Sequence, residues 1–477
     1  MRARFLATLV MAGALTACGG APDGPAVSDA DRAAGAKAHE QLLTEFGGAY
    51  SGDEATYVKR LGETIAGAAG LDSQCTFTLV NSDVVNAFAV PGCYIYVTRG
   101  LMVLVNSEAE LAAVLAHEVG HINARHSQRQ QSRSLWRQLG VIAVGVLTGS
   151  ERLTQIAGAA AGLFTLRYSR AQEFEADDLG LRYLRAAGHD PYASADMLAT
   201  LGRHEQYLAQ TRGRDEAKSI PEWARTHPLS GNRAERARAA AADTGISDGQ
   251  VAEHEARYLG ALDGMLYGDD PEQGFVMGRA FAHPVMRIAF EAPEGFTLTN
   301  SPQAILVEGP DGMRGEFAGG PMPAGGPAAY TEQALQQLLR GAQVSGAESR
   351  PARINRLDAL ITRAAVRSGN EQVLLTMAVY DAGQSGYHFI MLSKDGAPAP
   401  LDALFGSFRL IGQAEANALR PRIIDTVRAG PGDNWRTLAA RMASDDKLGH
   451  ILMLNGRRED EPLRPGEPVK TVVYGTR

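Results

Sequence analysis

The chain has 477 residues, 45% hydrophobic and 21% charged, which is enough for two or three domains with their own cores and unlike a disordered or fibrous chain. Its formal net charge of -7 and pI near 5.9 argue against nucleic acid as the main partner, because a phosphate-binding protein presents a basic surface.

Arg2 and Arg4 precede an apolar stretch from Phe5 to Ala14 and the tetrad Leu15-Thr16-Ala17-Cys18. Residues 1–17 read as a signal peptide, with a positive start, a short apolar run and small residues before the cut. The tetrad resembles a bacterial lipoprotein signal, which implies a lipidated Cys18 at the mature N-terminus. Gly19, rather than Asp, follows it and by the same resemblance favours the outer membrane, facing the periplasm. No stretch approaches the roughly 20 apolar residues that span a bilayer, so the lipid is the expected anchor. Residues 18–45 carry this cysteine and a tether, richest in Gly and Pro before residue 32. Cys75 and Cys93 form an even pair in an exported chain, and both lie in strand-like segments, so a disulfide is expected.

In chain order, residues 29–70 read as helical and 75–98 as two strands. A helix over 107–133 opens with Ser107 and Glu110 at capping-box spacing. Leu135 to Leu166 reads as a glycine-broken helical stretch, and further helices cover 170–187, 191–209 and 231–242. After Asp263-Gly264 strand patterns dominate: 281–290, 304–308, 357–368, 373–380 and 387–392, with helices near 331–339 and 401–408. The last segment reads strand, turn, helix, helix, turn, strand.

His117-Glu118-Val119-Gly120-His121 lies inside the capped helix. Four residues apart, the two imidazoles stand one turn apart on the same face and can share one ion. Glu118, one step away, can act as general base toward water without being a ligand. The helix is apolar almost all round, and burying two imidazoles and a carboxylate without partners is costly unless a metal takes them. A third ligand is expected on another helix, leaving a fourth position open. Along 173–181, Glu173 and Asp177 share the apolar side with Gly180, while Glu175 and Asp178 share the polar side. Glu173 is the expected ligand, Asp177 the hydrogen-bond partner of a ligand imidazole, and Glu175 a solvated residue. Gly180 would let the two helices approach closely.

These motifs, with the Asn86-Ala87-Phe88-Ala89 strand and His227-Pro228 followed by Arg233, resemble the HtpX-like and BepA-like zinc metallopeptidases, over about residues 45–245. The resemblance implies a mostly helical zincin fold, one Zn²⁺, and endopeptidase activity in envelope protein quality control. Asn86 to Ala89 would hold extended substrate by its backbone. His227, on a loop over the site, would either take the open metal position as a latch or donate to the oxyanion, with Arg233 reinforcing that charge or orienting the loop. The segment from Val427 to Ala439, with Leu454-Asn455-Gly456 and Leu463-Arg464-Pro465-Gly466, resembles a LysM module, though its first turn has two residues more than the usual pattern. Glycan binding, to peptidoglycan, and simple packing on the rest of the chain both stand for that unit.

The expected architecture is α+β: a mostly helical peptidase domain with a small sheet over 46–250, an antiparallel α+β domain over 255–415, and a βααβ LysM-like module over 420–477. The expected substrates are misfolded envelope polypeptides, with no nucleic acid partner. The competing expectation is a cell-wall-tethered chaperone or glycan-binding protein with a vestigial metal site.

Overall fold

The computed structural model describes residues 27–129, 168–211, 222–228, 232–338, 343–368, 371–394 and 398–475. The signal peptide, Cys18 and the 135–166 stretch lie outside them.

Helices α1 (Asp29–Glu45) and α2 (Asp53–Ala68) replace the single expected helical stretch, because Gly47, Gly48 and Gly52 take positive φ between them. Tyr57, Val58, Leu61 and Ile65 recur at helical spacing on α2 and are buried. Three strands follow instead of two: β1 (Thr76–Val80), β2 (Ala87–Val90) and β3 (Tyr94–Thr98), in the order β1-β3-β2. The extra strand arises because the chain turns back at Pro91–Cys93, where Gly92 has φ 87° and Cys93 φ 60°. β1 runs parallel to β3 with Thr76 opposite Tyr94, and Cys75 and Cys93 are joined by a disulfide just before both strands begin. β2 pairs antiparallel with β3 and is the edge of this sheet.

Helix α3 (Arg99–Leu104) leads to α4 (Glu108–Asn123), whose residues are buried from Glu108 to Ile122. Ser107 Oγ accepts from Glu110 N at 3.1 Å, but the Glu110 carboxylate reaches one residue further back, to Asn106 N, than a capping box requires. α4 stops at Asn123, not near residue 133, because Arg125 takes the left-handed conformation at φ 54°; the short α5 (His126–Arg129) leaves in a new direction. Against α4 pack α6 (Arg170–Ala186) and α7 (Ala193–Thr211), followed by α8 (Glu222–Thr226), α9 (Arg233–Ala242) and α10 (Glu255–Leu262).

A seven-stranded antiparallel sheet and a four-stranded one make up the middle of the chain, the larger with two long hairpins over Gln343–Ala382 and one helix, Gly326–Leu338, against it. The strand expected over 281–290 is a hairpin, Ala280–His283 and Ile288–Glu291, broken by Pro284 and by Arg287 at φ 54°. At the C-terminal end, strands Arg422–Arg428 and Pro468–Tyr474 pair antiparallel around helices Trp435–Ala439 and Lys447–Leu454, the expected βααβ order. This unit is not packed by itself. Its Trp435, Ile451, Val469 and Val472 belong to the same buried cluster as Val58, Ile95 and Ala112. Lys470, fully buried, donates to the carbonyls of Val103, Leu104 and Val105 at 2.9–3.0 Å, satisfying acceptors that the end of α3 leaves free.

Candidate metal centre

α4 brings His117, Glu118 and His121 to its crossing with α6, which carries Glu173 and Asp177. The crossing is close because both helices present glycine: a Cβ on Gly180 would lie 3.2 Å from His117 N, and one on Gly120 only 2.9 Å from the Ala176 carbonyl oxygen. His227 follows α8 directly. The chain there is irregular, as expected of a loop, yet the side chain is buried, because it turns inward and stacks on Trp223 at 4.3 Å.

Donor atoms of four residues converge from these elements. His117 Nε2 and His121 Nε2 are 3.0 Å apart, and Glu173 oxygens lie 3.6 and 3.5 Å from them. His227 Nδ1 completes the group at 3.3 Å from His117 Nε2 and 3.1 Å from Glu173 Oε1. A tetrahedral zinc with bonds of 2.0–2.2 Å sets its donors about 3.4 Å apart, the spacing seen here. The protonation pattern argues the same way. His117 Nδ1 faces Asp177 Oδ1 at 3.0 Å and His121 Nδ1 faces His126 Nδ1 at 2.8 Å, so neutral rings that donate outward turn bare Nε2 lone pairs toward each other. A cation between them removes that repulsion. The donor set fits Zn²⁺, and the four residues are buried.

The electrostatics are those of a buried charge cluster. Burial opposes ionisation of Glu173, but His227, His121 and His117 outweigh it and hold the carboxyl well below its usual range. Asp177, against burial, is brought down to about 2 by His117 and Arg233. Burial holds His121 well below the usual imidazole value; for His117 it is outweighed by Asp177 and Glu173, which raise it. Glu118 is fully buried and raised by that burial, with His227 and His117 pulling the other way. Its Oε1 faces His227 Nε2 at 3.5 Å.

Arg233, 1% exposed, ties the carboxylates together: Nη1 is 2.7 Å from Glu173 Oε2, and Nε and Nη2 bond both oxygens of Asp177. Of the expected substrate strand, Ala87, Phe88 and Ala89 lie in β2, while Asn86 just precedes it, fully buried, with neither side-chain polar atom bonded. Glu175 is not simply solvated, since one oxygen reaches His126 Nε2 at 3.2 Å. Sequence reasoning passed over His126, Tyr168, which stacks on His121 at 3.9 Å, and Trp223. His126 was findable as a third histidine five residues past His121; nothing in the sequence marked Tyr168.

Residues 53–241 match the family model described as Peptidase family M48. This segment is similar to an M48 peptidase domain. The chain is 32% identical to the Beta-barrel assembly-enhancing protease of Yersinia pestis across 192 residues that make up 38% of each chain. It is 35% identical to the Mitochondrial metalloendopeptidase OMA1 of Arabidopsis thaliana over 126 residues, 26% of this chain and 25% of that one. It is 29% identical to the Metalloprotease LoiP of Escherichia coli (strain K12) over 188 residues, 38% of this chain and 69% of that one. The matched region thus spans well under half the length of the first two relatives, and the M48 domain leaves the middle and C-terminal units of this chain unmatched.

Proposed function

We propose that this protein is a zinc-dependent endopeptidase that cleaves polypeptides of the bacterial envelope, in protein quality control. The reading is carried by the convergence of His117, His121, Glu173 and His227 beside the buried carboxylate of Glu118. The relatives named as proteases and metalloproteases support it.

When bound, the ion supplies a Lewis acid that polarises the scissile carbonyl and acidifies a water. Glu118 would take a proton from the attacking water on a carboxylate oxygen and deliver it to the departing amine nitrogen. Burial suits it to both steps, because a carboxyl raised toward neutrality exchanges protons in both directions. His117, His121 and Glu173 would hold the ion. β2, an edge strand whose residues are buried, would offer backbone groups to an extended substrate, a mode that reads shape more than sequence.

His227 supports a latch better than an oxyanion donor, because its Nδ1 sits among the ligand atoms. Substrate entry then requires the 227–228 segment to move. Arg233 is committed to two carboxylates and to Pro228 O at 3.4 Å, which favours orienting the loop over stabilising an oxyanion.

A lipid on Cys18, an outer-membrane address and glycan binding by the βααβ unit belong to the same proposal and rest on the sequence motifs. Cys18→Ser should release the protein from the membrane fraction. The central test is casein cleavage with and without chelator. Zinc-restorable cleavage is expected; chelator-insensitive cleavage would overturn the zinc mechanism, and no cleavage by zinc-loaded protein would favour a binding protein with a vestigial site.

A further inference from the structure

The two ligand imidazoles of α4 are backed differently. His117 meets a carboxylate directly, Asp177 at 3.0 Å. Behind His121 stands a second imidazole, His126 at 2.8 Å between the Nδ1 atoms, and only behind that a carboxylate, Glu175, at 3.2 Å from His126 Nε2. His126 is 0% exposed, so both its nitrogens need partners, and these two contacts supply them. The Glu175 side chain is 42% exposed and is held in turn by Arg129, whose Nη1 lies 3.0 and 2.9 Å from its two oxygens.

The hydrogen-bond directions along this chain are fixed. Glu175, as a carboxylate, can only accept, so His126 Nε2 carries the proton. A neutral His126 then has a bare Nδ1, which can only accept from His121. His121 therefore carries its proton on Nδ1, leaving Nε2 bare on the side of Glu173 and His117. The kink at Arg125 makes this possible: with φ 54° there, the chain leaves α4 and sets His126 against His121, which a continuous helix would carry to another face.

We propose that His126 and Glu175 are positioning residues for the metal site, a relay that fixes the tautomer and ring orientation of His121 and so sets zinc affinity. The proposal rests on the zinc reading of the site. Glu175 acts only through His126, so the two substitutions must not combine.

The test measures the zinc dissociation constant of the full chain by competition with a chromogenic chelator. Glu175→Ala should weaken binding about 10-fold and His126→Phe by about 10- to 100-fold, the range for groups behind a metal ligand. The double variant should bind no more weakly than His126→Phe alone. Glu175→Gln, which still offers an oxygen to His126 Nε2, should recover much of the affinity lost in Glu175→Ala. Glu175 is half-exposed, so its variants test the relay even if His126→Phe does not fold. Affinity unchanged in Glu175→Ala, or losses that multiply in the double variant, would overturn the relay. A wild-type chain that binds no zinc would end the metal reading itself, a different result from tight wild-type binding that Glu175 does not influence.

Discussion

Gly120 leans on the backbone of Ala176, so closely that a Cβ at 120 would stand 2.9 Å from the Ala176 carbonyl oxygen. Backbone cannot swing aside as a side chain can, so Gly120→Ala must push α4 and α6 apart. The proposed metal ligands are divided between those two helices and the segment after α8. The expected cost is about 1–3 kcal/mol in denaturant unfolding, together with weaker zinc retention. Gly180→Ala, whose nearest contact is 3.2 Å, should cost less in both. Equal effects would contradict the crossing as the cause.

Removing the base and removing a ligand should separate cleanly. Glu118→Gln is expected to keep one zinc by elemental analysis while proteolysis falls by about 100-fold or more, because the group moves a proton and holds no metal. His117→Ala and Glu173→Ala should lose the metal and the activity together. Undiminished cleavage by Glu118→Gln would dismiss it as the base.

For His227 the two roles have opposite signs. As a latch, His227→Ala should raise basal proteolysis of an unfolded substrate and leave zinc bound by the remaining three ligands. As an oxyanion donor it would instead lower kcat by about 100-fold. The position of Nδ1, 3.1 Å from Glu173 Oε1, makes higher basal activity the expected result.

Lys470→Ala tests whether the C-terminal unit is integral to the peptidase. The substitution would leave three carbonyls at the end of α3 without their donor, in a fully buried place. A loss of about 1–3 kcal/mol is expected, as for buried acceptors left without a donor, with the M48-like region and C-terminal unit melting in one transition. Two separate transitions in the wild-type chain would show instead that the units fold independently.

His450 gives the fold a pH dependence away from the metal. Burial, with help from Arg422, pushes it down to about 4, and its Nε2 lies 2.6 Å from the Tyr267 hydroxyl, which donates to a neutral ring. Unfolded, the ring titrates near about 6.5. Between those values the unfolded chain binds more protons, so the stability from the neutral ring is present above pH ~6.5 and is lost as pH falls toward 4. The loss is roughly 3 kcal/mol at most. Urea unfolding at pH 7 and pH 5 should show a smaller difference for His450→Phe than for wild type. An equal difference would remove His450 as the cause.

The metal constellation was legible because helical period ties residue spacing to face. His117, His121, Glu173 and Asp177 could be assigned to facing sides of two helices from their spacing, and Gly180 could be named as the reason those helices approach. The βααβ order of the C-terminal unit was legible from its turns, and the disulfide from an even cysteine pair in an exported chain. Local backbone reversals were not. The end of α4 at Asn123 and the hairpin at 284–287 depend on positive φ at Arg125 and Arg287, which no arginine announces. Long-range partners were hidden for a different reason. Glu175 lies on the polar side of its helix, and only the packing of α5 against α6 sets His126 beside it; Lys470 sits in an ordinary strand, and only the shared core carries it to the end of α3. Periodicity specifies which face a side chain takes, while the group it meets there is decided by how separate elements pack.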